Sequence, residues 1–108
     1  MKSSRKVRVV LVTCPSKDAN RIARTVLEER LVACVNVVSG VKSLYWWKDK
    51  LQEDKETLLV LKTPANCYAS LEQRLTEIHP YDVPEVLSMD VAEGLDTYMS
   101  WVGDSARC

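Results

Sequence analysis

Along this chain, segments with the apolar pattern of β-strands alternate with segments with the apolar periodicity of α-helices. The run Val7–Cys14 is apolar at nearly every position and rich in β-branched residues, which predicts a strand buried on both faces. Between residues 19 and 31, apolar side chains recur at helical spacing with charged ones opposite, which predicts an amphipathic helix. Pro15 separates the two elements, and Ser16 or Asp18 is expected to cap the helix.

Residues 34–63 predict an unusually long β-hairpin with its turn at Lys48 and Asp49. Asp tolerates the left-handed backbone that hairpin turns require. The first arm, residues 34–47, would extend about 46 Å as a straight strand, whereas a compact domain of this length has a diameter of only about 34 Å. The hairpin must therefore bend or project. Because Tyr45, Trp46 and Trp47 would be poorly hydrated on a projecting arm, we expect another subunit to cover them.

A second amphipathic helix is predicted after Pro64, with Thr63 as its possible cap and its apolar stripe between residues 68 and 78. Pro80 ends this helix, because the residue before a proline avoids the α conformation. Apolar and polar residues then alternate over residues 87–91, which predicts a half-buried strand.

The end of the chain predicts a short third helix after Gly94, with its cap near Asp96. Residues 104–108, like residues 1–6, are expected to be loose termini. The complete order is βαββαβ plus a terminal helix, which is the ferredoxin-like α+β sandwich in a single domain over residues 1–108. Its two main helices cover one face of the sheet, yet the strands are apolar on both faces, so the open face should meet another protomer.

Composition limits the partners and the compartment. Among 108 residues, 15 basic side chains cancel 15 acidic ones, so no bulk field attracts nucleic acid or an anionic membrane. The basic start is followed by an apolar run too short for a signal peptide or a membrane span. Four cysteines without CxxC spacing are expected to be reduced thiols in a cytoplasmic chain.

Five blocks of sequence, in order, resemble the CutA family of divalent-cation tolerance proteins. They are ERLVACVN at 29–36, LYWW at 44–47, LKT at 61–63, HPYDVPE at 79–85 and YMSW at 98–101. The resemblance runs from about Val9 to Val102. It implies a ferredoxin-like protomer in a tight homotrimer, with inward-facing sheets, long hairpins that reach onto neighbours, and an assembly like that of the PII signalling proteins. Asp49 stands where the family usually has Gly, and Gly94-Leu95-Asp96 replaces its usual Gly-Asn, which moves the helix cap to Asp96.

The resemblance also implies tolerance of copper and other divalent ions, with no assigned reaction. His79 is the only histidine, and in the family the histidine before this proline is among the proposed metal ligands. Its imidazole suits Cu(II), although it could simply end a helix, where a His suits the negative dipole. Ile78 stands where some members have a second histidine. Cys34 is the second candidate, as a soft ligand, although buried free cysteines usually only pack.

Lys62, Tyr81 and Glu85 are candidates for a ligand cleft. His79, Asp82 and Glu85 lie close together in sequence and could form an acid–base site, but no nucleophile accompanies them, so a rigid loop between two prolines is the simpler interpretation. Lys62 beside Thr63 could receive an anion near a helix start, although an ordinary strand-end charge explains it equally.

The aromatic residues Tyr45, Trp46, Trp47 and Trp101 are interpreted as trimer-interface anchors, because no clustered Arg and Lys accompany them as in a nucleic-acid platform. The favoured hypothesis is a non-enzymatic cytoplasmic homotrimer that binds a divalent metal, Cu(II) or another divalent cation, or a small ligand at its subunit clefts, without an organic cofactor. The alternative is a PII-like signalling module that binds a nucleotide or metabolite, and a weak enzyme based on His79 and Glu85 comes third. The lack of a Gly-rich phosphate loop argues against the nucleotide, and the single histidine argues against the enzyme.

Overall fold

The computed structural model of this chain describes residues 6–108. The loose amino terminus predicted for residues 1–6 therefore lies, apart from Lys6, outside the described residues. The elements are β1 (Val7–Cys14), α1 (Ser16–Glu28), β2 (Cys34–Trp47), β3 (Lys50–Pro64), a 3₁₀ turn (Ala65–Cys67), α2 (Tyr68–Ile78), β4 (Val86–Asp90) and α3 (Asp96–Ser105). This order confirms the predicted ferredoxin-like α+β fold with an added terminal helix.

The strands form one antiparallel sheet in the order β2-β3-β1-β4. Alternate residues of β1 and β3 face α1 and α2 and build the core with them, because side chains of a strand alternate between its two faces. The core is centred on Val10, Val12, Leu59 and Leu61 of the sheet and on Ile22, Val26, Leu71 and Leu75 of the helices. Within residues 6–108, the helices are too short or too polar to cross a bilayer.

The β2–β3 hairpin projects from the domain, as its length predicted. Its turn residues Lys48 and Asp49 have φ angles of 50° and 60°, the left-handed pair expected of a two-residue hairpin turn. The molecule measures 51 × 25 × 22 Å. A register shift between Val38 and Val41 accommodates Gly40 at φ 77°, where the strand is irregular. The outer hairpin therefore stands beyond the core.

The face of the sheet opposite α1 and α2 is only partly covered. Helix α3 lies over one end of it, where Met99 and Val102 pack on Val7. Beyond α3, Leu87 and Met89 of β4 remain exposed. A three-turn helix is too short to cover a four-stranded sheet, so apolar surface remains for another chain to bury.

The predicted helix caps are wrong. Helix α1 begins after Pro15 without a side-chain cap, and the Ser16 hydroxyl is instead hydrogen-bonded to the Thr57 hydroxyl at 2.9 Å. Pro64 closes β3 rather than opening α2, because β1 pairs with β3 as far as Pro64. Helix α3 begins at Asp96 but has no side-chain cap.

The carboxyl-terminal tail is anchored, which corrects two expectations. Cys67 and Cys108 form a disulfide with a Cα separation of 5.5 Å, so the four cysteines are not all free. The Arg107 amide donates to the Arg30 carbonyl at 2.8 Å, and Ala106 is buried. The tail is not loose because α3 returns the chain end to the start of α2, a proximity that the sequence spacing of the two cysteines did not indicate.

Candidate functional site

A cleft of about 720 Å³ lies between the outer half of the hairpin and the loop that joins α2 to β4. We call it the hairpin cleft. Its lining consists of Thr13, Lys42, Ser43, Leu44, Tyr45, Trp47, Glu56, Tyr81, Asp82, Val83 and Glu85. The hairpin provides one wall because it extends past the end of β1, and the loop provides the other because two prolines keep it extended beside that end.

His79 fixes the position of the loop. Its ring is buried, and Nε2 lies 2.8 Å from the carbonyl oxygen of Thr13 at the end of β1. The backbone N–H of Tyr81 donates to Nδ1 at 3.1 Å. Since Nδ1 accepts, the proton of the neutral ring belongs on Nε2, where it is donated to Thr13. The imidazole thus holds the first two residues of the loop against the sheet.

Tyr81 and Glu56 form the floor of the cleft. The Tyr81 hydroxyl donates to a carboxylate oxygen of Glu56 at 2.9 Å. Glu56 is only 5% exposed, although it precedes the apolar half of β3. Burial, followed by the hydrogen bond and charge of Glu56, raises the pKa of Tyr81 well above its ordinary value. The phenol therefore remains a neutral donor at physiological pH.

Tyr45 and Trp47 form the hairpin wall and lie on one face of β2, two positions apart. The Tyr45 hydroxyl donates a hydrogen bond to Asp54. This bond, followed by desolvation, raises the pKa of Tyr45. Lys42 is the one basic residue of the lining, and its ammonium pairs with Glu53 at 3.4 Å. The lining also contains the acidic residues Glu56, Asp82 and Glu85, so negative charge exceeds positive charge in the cleft.

The structure brings together some of the predicted ligand residues and separates others. Tyr81 and Glu85 line the hairpin cleft, whereas Lys62 lies on the open face of the sheet and donates to Asn36. Sequence reasoning missed Glu56. Its position in the polar half of β3 gave no signal, because its burial depends on Tyr81 and the loop, which arrive from a distant part of the chain.

The two predicted metal ligands do not meet within one protomer. Cys34 pairs with Lys62 in the sheet, whereas His79 is bonded to Thr13, whose partner in β3 is Leu58. Four residues of strand separate these positions, or about 13 Å. Both nitrogens of His79 are already engaged. Within residues 6–108, no three His, Cys, Asp or Glu side chains are grouped so that they could hold a metal ion. The donors of one protomer therefore do not fit a transition-metal site.

The predicted interface aromatics divide between two surfaces. Tyr45 and Trp47 line the hairpin cleft, whereas Trp46 points away from it and is 73% exposed. Trp101 is half exposed on α3 and lies beside Tyr98, with ring centroids 5.6 Å apart. Exposed aromatic surface on a projecting arm and on the open face of the sheet is typical of a chain that assembles.

Comparisons with known sequences agree with this fold. Residues 8–105 match the family model described as CutA1 divalent ion tolerance protein. The chain is 43% identical over 98 residues to the divalent-cation tolerance protein CutA of Thermus thermophilus, covering 90% of this chain and 95% of that protein. It is 42% identical over 97 residues to human Protein CutA, covering 89% of this chain and 54% of the human protein. The chain thus spans about half the length of its plant and mammalian relatives.

Solved structures give the same result. The divalent cation tolerance protein of T. thermophilus superposes with a TM-score of 0.90 at 40% identity, covering 94% of this chain and 99% of that one. The PII-like protein CutA of Nostoc superposes with a TM-score of 0.89 at 33% identity, covering 93% and 97%. These likenesses, together with the exposed hairpin, indicate an oligomeric assembly. A family match over nearly all of the described residues, on the fold that the sequence pattern predicts, means that this chain belongs to the CutA1 divalent ion tolerance protein family.

Proposed function

We propose that this chain is a non-enzymatic homotrimer that binds a small ligand in the hairpin cleft and takes part in divalent-cation tolerance. The observation that carries the proposal is the cleft itself. A volume of about 720 Å³ is in the range of small-molecule sites. Its loop is pinned by His79 and its floor by the Glu56–Tyr81 hydrogen bond. A cavity with fixed polar groups on a rigid frame is suited to binding.

The homotrimer is supported by surface that one protomer leaves exposed. Trp46 on the hairpin, Leu87 and Met89 on the open face, and Trp101 on α3 are all more than two-fifths exposed. Copies related by a threefold axis would bury the open faces against one another and the hairpins against neighbours. In such an assembly the hairpin cleft lies next to a neighbouring subunit, which can contribute to its wall.

A binding role is favoured over catalysis by the state of the polar groups. His79 cannot act as a general base while Nε2 donates to Thr13 and Nδ1 accepts from Tyr81. Tyr81 is a neutral phenol held by Glu56, and Cys14 is a buried thiol whose pKa is raised to about 11. These groups stabilise the loop and the core instead of activating a nucleophile.

Direct binding of a divalent metal such as copper is the second candidate, because the matching family is described by its tolerance of divalent ions. His79 and Cys34 are the ligands expected from the sequence. A site built on His79 requires the imidazole to leave Thr13 or Tyr81, or requires donors from several subunits. The cytoplasmic location also stays a prediction, since a disulfide such as Cys67–Cys108 persists most readily in an oxidising compartment.

Two measurements on the full-length oligomer test these roles. A thermal-shift screen of small metabolites, with ATP included as the PII-like alternative, should give a saturable stabilisation that is lost when Val83→Trp fills the cleft. A screen without any stabilising compound, or stabilisation unchanged in Val83→Trp, would contradict a ligand in this cleft. Copper calorimetry compares the wild type with His79→Ala and with thiol-blocked protein. Direct copper binding fails if neither change alters the heat of binding.

A further inference from the structure

We propose that the ligand of the hairpin cleft is a small organic cation, namely an ammonium or guanidinium compound. The inference rests on the proposed function, because it assigns a chemical class to the ligand of the same cleft. Three features support it: a buried carboxylate with a free oxygen, an excess of unpaired acidic groups, and aromatic side chains beside them.

The first feature is Glu56. It is more than nine-tenths buried, and one of its carboxylate oxygens accepts from Tyr81. Its other oxygen accepts no hydrogen bond within residues 6–108, and no basic side chain in that part of the chain pairs with it. This oxygen is not fully enclosed by residues 6–108, so it faces the open cleft, where a ligand can reach it. A cationic N–H donor in the cleft would supply both a counter-charge and a hydrogen bond to a carboxylate that is otherwise withdrawn from water.

The second feature is the charge balance. Asp82 and Glu85 line the cleft with Glu56 and form no ion pair within residues 6–108. Lys42 does not neutralise them, because its ammonium is paired with Glu53. The field in the cleft therefore favours a cation and disfavours a phosphate or carboxylate ligand. A nucleotide, the ligand of the PII-like alternative, would bring its negative charges into this field.

The third feature is the aromatic lining. Tyr45, Trp47 and Tyr81 all contribute to the cleft. The faces of Trp and Tyr rings attract cations through the negative potential of the ring. A bare metal ion would use neither these rings nor most of the 720 Å³. An organic cation fills the space with its carbon skeleton and directs its nitrogen at Glu56.

The test is isothermal titration calorimetry of the full-length oligomer with butylammonium chloride, using butanol as a neutral compound of the same length. The ammonium should bind at least about tenfold more tightly than the alcohol, as expected for a charged hydrogen bond with cation–π contacts. Glu56→Gln keeps the volume and an acceptor for Tyr81, and it should remove this preference. Asp82→Asn and Glu85→Gln alter exposed side chains that the fold does not need, and each should weaken the ammonium alone. Glu28→Gln, on the outer side of α1, is the matched control and should change nothing.

Equal affinity for butanol and butylammonium would overturn the cation assignment but leave the proposed ligand cleft intact. Binding of ATP in preference to the ammonium would also overturn it, in favour of the nucleotide. Ammonium binding that persists unchanged in Glu56→Gln, in Asp82→Asn and in Glu85→Gln would place the cation elsewhere and contradict the proposal. If the Val83→Trp variant abolishes stabilisation by neutral compounds while no ammonium binds, the proposed function stands and this inference fails.

Discussion

The imidazole of His79 joins the end of β1 to the loop that follows α2, through a 2.8 Å hydrogen bond from Nε2 to the carbonyl oxygen of Thr13. The two residues are 66 positions apart in the chain. Without the imidazole, the Thr13 carbonyl and the Tyr81 amide would each lose a hydrogen-bond partner at a part-buried position. The only histidine of the chain thus has a structural role that a metal ligand at this position would have to give up.

We expect His79→Ala to lower the free energy of unfolding by about 2–4 kcal/mol, because it removes two hydrogen bonds and leaves a small cavity. Urea denaturation at one fixed protein concentration measures the loss, since assembly contributes to stability. Asp82→Ala is the control in the same loop and should cost less than about 0.5 kcal/mol. A His79→Ala variant as stable as the wild type would show that the loop is held by other contacts.

Because of the buried Cys14 thiol, we expect the protein to lose stability at alkaline pH. Burial, aided by Asp18 and Glu56, raises the pKa of its thiol from 9.0 to about 11. The unfolded chain therefore releases this proton first, so the stabilisation is complete below pH 9 and disappears as the pH rises towards 11. The loss should approach about 2–3 kcal/mol. In Cys14→Ala the slope of stability against pH should be smaller over this range, and an unchanged slope would contradict the assignment.

The same burial predicts unequal reactivity of the two free thiols. Cys34 is partly exposed, whereas Cys14 is fully buried. Iodoacetamide at neutral pH should therefore modify Cys34 in the folded protein and should modify Cys14 only after denaturation. Mass spectrometry of the digested protein distinguishes the two sites. Modification of both at similar rates in the folded state would mean that β1 opens readily.

Substitution of Trp46 should change the oligomeric state. It is 73% exposed on the projecting hairpin and points away from the hairpin cleft. If it anchors a neighbouring subunit, Trp46→Asp should convert a species of three chains into smaller species at low micromolar concentration, as measured by sedimentation velocity. Lys55→Gln, which also lowers the charge by one unit and lies at an exposed position of the partner strand, is the control. A wild-type chain that sediments as a monomer would contradict the trimer itself.

The Cys67–Cys108 disulfide predicts a redox-dependent stability. It closes a segment of 41 residues between the start of α2 and the chain end. Its loss should lower the free energy of unfolding by up to about 4 kcal/mol, because the unfolded chain gains freedom. Cys108→Ser should melt at a lower temperature than the wild type without reductant, and the two should converge when dithiothreitol is present. Melting curves that do not respond to reductant would contradict the bridge.

The sequence determined the fold to a large extent. The periodicity of apolar residues predicted β1 with its observed bounds and α1, α2, β4 and α3 in the observed order. It could do so because burial on one or both faces of an element requires apolar residues at regular positions in the local sequence. Residues Lys48 and Asp49 located the hairpin turn through the backbone conformation that Asp tolerates. The length of the arm required the hairpin to bend or to project, and the 51 Å dimension of the molecule shows that it projects.

The tertiary structure decided what the sequence pattern could not contain. The burial of Glu56, the separation of Cys34 from His79 and the pairing of Cys67 with Cys108 each depend on segments more than 20 residues apart. The Ser16 hydroxyl, which was predicted to cap α1, is instead hydrogen-bonded to Thr57 for the same reason. Local sequence fixes which face a side chain presents, because the backbone period is short-range. Which partner that side chain contacts depends on how the faces pack together. This packing placed Glu56, an acidic residue in the polar half of β3, at the floor of the cleft.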